Sequence, residues 1–252
     1  MMSVPKTVSP PEAVETDITG KTYHVGNDEF LLAVFGGLTD ARPVVLSLEG
    51  NPANSPARVW SGRAWTGTPE VSASLPSGAN NYFSLAIFRP DEAGQFRRQK
   101  ARFHALYAVM LDDIGTKVAL ERLTLPPSWL LETSPGNHQA GYLLSDPLAD
   151  GSVADRLMNA IVAAGSCDPG ANGPRARLAR LPVAANGKHT PLFQCRMVEW
   201  APALRYSVEE LVNGLELEMA SAERSTRPGT RAAQQRPSDG DPVWIPRPEE
   251  NS

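Results

Sequence analysis

The sequence predicts an α+β fold, with mixed or antiparallel sheets and flanking helices. Three observations predict it. Strand-like runs outnumber helical ones, and the two kinds follow each other irregularly rather than in β-α-β succession. A Ser-Pro-Gly-Asn turn joins two consecutive strand-like runs as an antiparallel hairpin. The chain of 252 residues is long enough to bury a sizeable core, as one domain or two small ones. Its 41% hydrophobic and 21% charged content is that of an ordinary globular protein.

Taken in order, residues 1–20 are polar and proline-bearing, which reads as a flexible arm. Asp28 to Phe35 reads as a short helix because Phe30, Leu31 and Val34 fall at helical spacing. Val44 to Leu48 is a β-branched run after Pro43 and reads as a strand. Asn51 to Pro69, rich in Gly, Pro and Ser, reads as loop. Tyr82 to Phe88 and His104 to Asp112 are the next strands, followed by Trp129 to Thr133 and His138 to Leu144 around the turn Ser134-Pro135-Gly136-Asn137.

The clearest helix is Val153 to Ala164, with Val153, Leu157 and Ile161 on one stripe. Ser152 with Asp155 resembles a capping box, and Gly165 marks the stop. Phe193 to Trp200 reads as one more strand. Ser207-Val208-Glu209-Glu210 opens a last helix with a better capping box. The body therefore spans 21–218. The segment 219–252, rich in Pro, Arg, Ser and Glu, reads as a disordered tail, with Trp244 as a stray aromatic.

Composition excludes some classes. Cys167 and Cys195 have no metal spacing and fit a reducing compartment. The longest apolar run, Phe30 to Leu38, is too short to cross a bilayer, and no signal-peptide core opens the chain. The expectation is a soluble, cytoplasmic protein with no membrane partner. A net charge of −4 hides an asymmetry: between Ser166 and Arg205 six Lys/Arg face two acids. A second basic run, Arg97, Arg98, Lys100 and Arg102, precedes the segment that carries the chemistry. Local positive charge near acids suits a phosphate-bearing substrate.

That segment is Leu111-Asp112-Asp113-Ile114-Gly115-Thr116-Lys117. An apolar run from Tyr107 releases two carboxylates at its end, then turns on a glycine into a lysine. Asp168 and a cluster of arginines lie far downstream. Carboxylates that hold cations, beside a basic clamp, are what phosphoryl transfer to a nucleotide requires. In a regular strand adjacent acids point to opposite sides. Either Ile114-Gly115 begins a turn that swings Asp113 round, or only one acid is a ligand. Asp112, ending the apolar run, ranks ahead of Asp113.

Leu-Asp-Asp-Ile-Gly-Thr-Lys, then Glu-Thr-Ser-Pro-Gly-Asn-His-Gln, then Asp-Pro with Arg-Leu-Pro-Val-Ala-Ala-Asn-Gly-Lys, is an ordered set that resembles archaeo-eukaryotic-type primases. The likeness is to RepB-like primase and primase-polymerase domains of plasmid and phage replication, and it spans roughly Tyr82 to Leu217. It implies a catalytic core resembling an RNA-recognition-motif fold, and template-directed nucleotidyl transfer. Asp112, Asp113 and Asp168 would be the catalytic acids and the ligands of Mg²⁺ or Mn²⁺. The nucleotide would meet His138, Ser134, Lys117, Arg177, Arg180, Asn186 and Lys188. Single-stranded DNA template and nucleoside triphosphates would be partners, in the cytoplasm of a bacterial host. No phosphate-cradling Gly-x-x-x-x-Gly-Lys-Ser/Thr loop occurs, so any helicase is a separate protein. Trp60, Trp65 and Tyr82 are candidates for stacking on template bases, with core packing the preferred reading of Tyr82.

Each motif alone has a plain structural reading: Asp-Asp-x-Gly as a turn or cap, Asn186-Gly187-Lys188 as a tight turn at positive φ, Arg177 and Arg180 as a solvated face. Two other functions stand beside the first. One is a non-catalytic replication accessory that binds single-stranded nucleic acid. The other is a rolling-circle initiator nuclease, which His138-Gln139-Ala140 disfavours because it lacks the second metal-ligating histidine.

Overall fold

The computed structural model describes residues 22–220, apart from 38–39, 57–58, 61 and 169–172. The expected arm over 1–20 and nearly all of the expected tail, Trp244 included, lie outside the described residues. Four helices are present among the described residues: α1 (Asn27–Phe35), α2 (Pro69–Ala73), α3 (Gly151–Ala163) and α4 (Val208–Gly214). The strands are β1 (Arg42–Leu48), β2 (Arg63–Ala64), β3 (Asn80–Phe88), β4 (Phe103–Ile114), β5 (Trp129–Ser134) and β6 (Asn137–Leu148). They continue with β7 (Leu178–Arg180), β8 (Ala185–Asn186), β9 (Phe193–Gln194), β10 (Arg196–Trp200) and β11 (Arg205–Tyr206).

The main sheet runs β10-β5-β6-β4-β3-β1-β2. Its pairings are antiparallel except where β11 joins β6 in parallel. This is the mixed, mainly antiparallel α+β architecture expected from the sequence. β3 and β5 are buried at every position but one, so both faces of the sheet are covered. α1 sets Phe30 edge-on against Phe83 and Trp129, with ring centroids 5.1 and 5.3 Å apart. α3 buries Leu157, Met158 and Ile161 and packs on β4 and β6. Among the described residues no helix is long and apolar enough to cross a membrane.

Three local expectations are corrected. The cap of α3 is Asp150, whose side chain accepts from the Ser152 and Val153 amides, while Asp155 pairs with Arg175 at 2.7 Å instead of closing a capping box. The run from Phe193 to Trp200 divides at Cys195: up to there, as β9, it follows β8, the Cys195 amide donating to the Ala184 carbonyl in the same register, and from Arg196, as β10, it pairs with β5. The loop over 51–69 contains a 3₁₀ turn at Pro52–Asn54 and the short β2. The Ser207–Glu210 capping box forms as the sequence indicates, and Gly165 at φ 72 follows α3.

One irregularity positions the site. β3 pairs with β4 only from Ala86 to Phe88; beyond that β4 follows β6. β7 takes the edge that β4 leaves, with Tyr82 facing Arg180 and Ser84 facing Leu178. The arginines around β7 are thereby brought beside the end of β4.

Candidate active site

At the end of β4 the register with β6 slips. Leu111 faces Ala140 and Ile114 faces His138, so Asp112 and Asp113 together oppose Gln139 alone. This is a β-bulge. Asp113 sits at φ 61, a left-handed conformation that Asp tolerates better than most residues. The bulge brings both carboxylates to partners on one face of β6. Gln139 Nε2 donates to Asp112 Oδ1 at 3.2 Å, and Asn137 Nδ2 donates to Asp113 Oδ1 at 3.0 Å. Asn137 and Gln139 are two residues apart on a strand, and so share a face.

The segment after the bulge closes on itself. The Gly115 amide donates to the Val118 carbonyl at 2.6 Å, and the Val118 amide returns to the Asp113 carbonyl at 3.0 Å. Gly115 at φ 90 lies against the Gly136 carbonyl, where a Cβ has no room. The loop sends Lys117 back over the acids. Its Nζ lies 3.0 Å from Asp113 Oδ2 and 3.1 Å from Asp168 Oδ2. Asp168 follows α3 and is anchored by its neighbour: the Sγ of buried Cys167 accepts the Asp112 amide at 3.2 Å. Two carboxylates distant in sequence thus converge on one cation.

Asp112 has a different partner. Arg177, immediately before β7, donates from its terminal guanidinium nitrogen to Asp112 Oδ2 at 3.0 Å. The Arg177 side chain is 9% exposed, and its Nε is buried without a hydrogen-bond partner. The acid that the sequence ranks first is therefore held by an arginine, while Asp113 is the one that shares a cation with Asp168.

The electrostatics follow this geometry. Hydrogen bonds from Lys117 to Asp113, and then to Asp168, hold the ammonium pKa above its ordinary value against the opposing effect of burial. Burial pushes the Cys167 thiol up to about 11, with Arg177 opposing. Cys167 is therefore a neutral thiol near neutral pH. Burial also raises the Tyr82 phenol, with Arg180 opposing.

Other sequence candidates are placed elsewhere. Arg180 is buried; its guanidinium donates to Asn80 Oδ1 at 3.2 Å and to the Ala185 carbonyl at 2.9 Å, and lies 4.9 Å over the Tyr82 ring. Its backbone amide donates to Gln139 Oε1 at 2.9 Å, so it reaches Asp112 only through Gln139. His138 is buried, with Nδ1 3.2 Å from the Ile114 carbonyl. A carbonyl only accepts, so Nδ1 carries the hydrogen. Strand alternation puts His138 on the face opposite Gln139, paired across the ladder with Glu132.

Ser134 stands opposite Asn137 at the hairpin mouth. Asn186 is buried and braces β8 to β5, donating to the Thr133 carbonyl at 2.9 Å, and Lys188 is exposed beyond it. The tight turn forms, with the His189 amide donating to the Asn186 carbonyl at 3.3 Å, but neither Asn186 nor Gly187 adopts the positive φ expected of them. Gly187 is required instead because the Gly50 carbonyl fills the space of a Cβ. Trp60 and Trp65 are buried, and the Trp60 and Tyr82 rings pack 5.7 Å apart. They form core rather than a platform for bases.

Sequence reasoning missed Asn137, Gln139 and Cys167. The first two flank His138, and period-two alternation through the hairpin could have identified them as the opposite face. Cys167 carries no such signal.

Mg²⁺ and Mn²⁺ are hard ions that take one or two carboxylates and complete their shell with water and substrate phosphate. The Asp113 and Asp168 oxygens around Lys117 Nζ fit that donor set. No cluster of three or more His, Cys, Asp or Glu side chains suited to a metal occurs among the described residues.

No family model matches this sequence, and no curated protein matches it. Solved structures do share the fold. The archaeo-eukaryotic primase domain of the cyanophage S-2L primase-polymerase superposes with a TM-score of 0.50 at 15% identity, over 74% of this chain and 95% of that one. The catalytic domain of primase RepB′, solved in complex with initiator DNA, gives a TM-score of 0.52 at 18% identity, over 80% of this chain and 97% of that one. The chain has the fold of primase and primase-polymerase catalytic domains.

Proposed function

We propose that this chain is a template-directed nucleotidyltransferase, a DNA primase or primase-polymerase domain that makes or extends primers in phage or plasmid replication. The observation that carries the proposal is the bulge at Asp112-Asp113, which sets Asp113 beside Asp168 on a fold shared with primase catalytic domains. Asp113 and Asp168 would hold Mg²⁺ or Mn²⁺, which supplies charge neutralisation at the transferring phosphate and lowers the pKa of the attacking hydroxyl. Arg177 and Gln139 orient Asp112 from both of its oxygens. Of the four cations expected to meet the nucleotide, Lys117 and Lys188 are exposed enough to reach a triphosphate, while Arg177 and Arg180 are not. Single-stranded template and nucleoside triphosphates are the substrates, with unwinding left to a separate helicase.

The test supplies single-stranded template, Mg²⁺ or Mn²⁺ and labelled nucleotides to wild type, Asp112→Ala, Asp113→Ala and Asp168→Ala. Incorporation by wild type and its loss in Asp113→Ala and Asp168→Ala is the expected result. Equal incorporation by all four removes the assignment.

A second reading has one observation in its favour. The Asp113–Asp168 pair already shares Lys117 as a cation, which offsets one of its two negative charges and holds the site together as a polar cluster. A non-catalytic accessory that binds single-stranded nucleic acid would look the same. Tight strand binding with no metal-dependent incorporation under any condition would select it.

A further inference from the structure

Resting on the proposed reading of Asp113 and Asp168 as metal ligands, we infer that Lys117 is their resident counter-ion. It is exchanged for a divalent cation when a triphosphate arrives, so metal and nucleotide bind cooperatively. The Lys117 ammonium stands within 3.1 Å of an oxygen of each acid that would hold the metal, Asp113 Oδ2 and Asp168 Oδ2. An ammonium is a compact point charge with three donors, suited to stand in for a cation between two carboxylates.

The position is built into the backbone. Asp113 at φ 61, Gly115 at φ 90 and the paired Gly115 and Val118 hydrogen bonds fold the loop so that Lys117 returns over its own bulge. The nearby arginines are committed elsewhere, Arg177 to Asp112 and Arg180 to Asn80 and Ala185. The Lys117 side chain is 57% exposed, so it can leave without opening the core.

Two consequences follow. Without nucleotide, a divalent ion must expel the ammonium, which weakens metal binding by the strength of two ion pairs. With nucleotide present, the expelled ammonium gains phosphate oxygens as new partners, and the penalty disappears. Linkage makes the effect reciprocal: metal strengthens nucleotide binding by the same factor.

The test measures Mn²⁺ binding by calorimetry to wild type, Lys117→Met and Asp113→Asn, each with and without a non-hydrolysable nucleoside triphosphate. Lys117→Met is expected to bind Mn²⁺ about tenfold more tightly than wild type in the absence of nucleotide, the scale of two partly exposed ion pairs. Its gain on adding nucleotide should be smaller than that of wild type. Thermal unfolding gives a second readout: Lys117→Met should melt below wild type in chelator and recover with Mn²⁺, while Lys117→Arg should melt near wild type. If wild type binds Mn²⁺, Asp113→Asn abolishes it, and Lys117→Met binds no more tightly, the counter-ion role is refuted while the metal site stands. If wild type binds no Mn²⁺ even with nucleotide, the metal-ligand reading fails and the inference goes with it.

Discussion

Replacing Asp113 by glycine and, separately, by alanine isolates the backbone of the bulge from the carboxylate it carries. Both substitutions remove the Asn137 hydrogen bond and the Lys117 ion pair, each at 3.0 Å. The hydrogen bond contributes about 1 kcal/mol, and the screened ion pair about 0.5 kcal/mol. The two variants differ only in conformation. At φ 61 alanine meets a steric cost of about 1–2 kcal/mol that glycine avoids. Glycine gives back about 0.4–1 kcal/mol through its freer unfolded chain. The glycine variant should therefore be the more stable by about 1 kcal/mol, or about 2–4 °C in Tm for a domain of this size. Urea midpoints and melting curves in chelator measure that difference, and a primer-extension assay reads activity in parallel. Both variants should be inactive. Equal midpoints for glycine and alanine would refute the left-handed bulge, and with it the account of how two adjacent acids reach one face. Incorporation by either variant would refute the role of Asp113.

Three further outcomes are expected. Gly141 faces Trp129 across β5 and β6, and a Cβ there overlaps the buried indole; Gly141→Ala should cost about 2–3 kcal/mol, seen as a lower urea midpoint, and an unchanged midpoint refutes the packing. Arg177→Met removes the charged hydrogen bond to Asp112, which is 24% exposed; stability should fall by about 1–2 kcal/mol and incorporation by about tenfold or more, with Arg177→Lys failing to restore activity for want of the planar guanidinium. The Cys167 thiol is raised from 9.0 to about 11, so the folded protein keeps its proton after the unfolded chain has released it. Stability should therefore decline as pH rises from 9.0 towards 11, and Cys167→Ala should flatten part of that slope in pH-dependent denaturation.

The sequence by itself determined the longer elements, while the short α2, β2, β7, β8 and β11 carry too few residues to show a period. β-Branched and apolar runs gave β1, β3 and β4; the Ser134–Asn137 turn gave the β5–β6 hairpin; and the stripe from Val153 with Gly165 gave α3, because these depend on neighbours within a few residues. It also brought forward Asp112, Asp113, Asp168, Lys117 and Arg177 as residues for one site. What it left open was direction. Side chains alternate along a strand, so an extra residue in the ladder reverses which face each one takes, and that slip is set by pairing with β6. Only the tertiary structure turned Asp113 towards Asp168, committed Asp112 to Arg177, and put Asn137 and Gln139, rather than His138, against the acids. Burial of Trp60 and Trp65 was likewise decided by long-range packing, since an indole in a Gly-Pro-rich loop carries no local sign of the core it will enter.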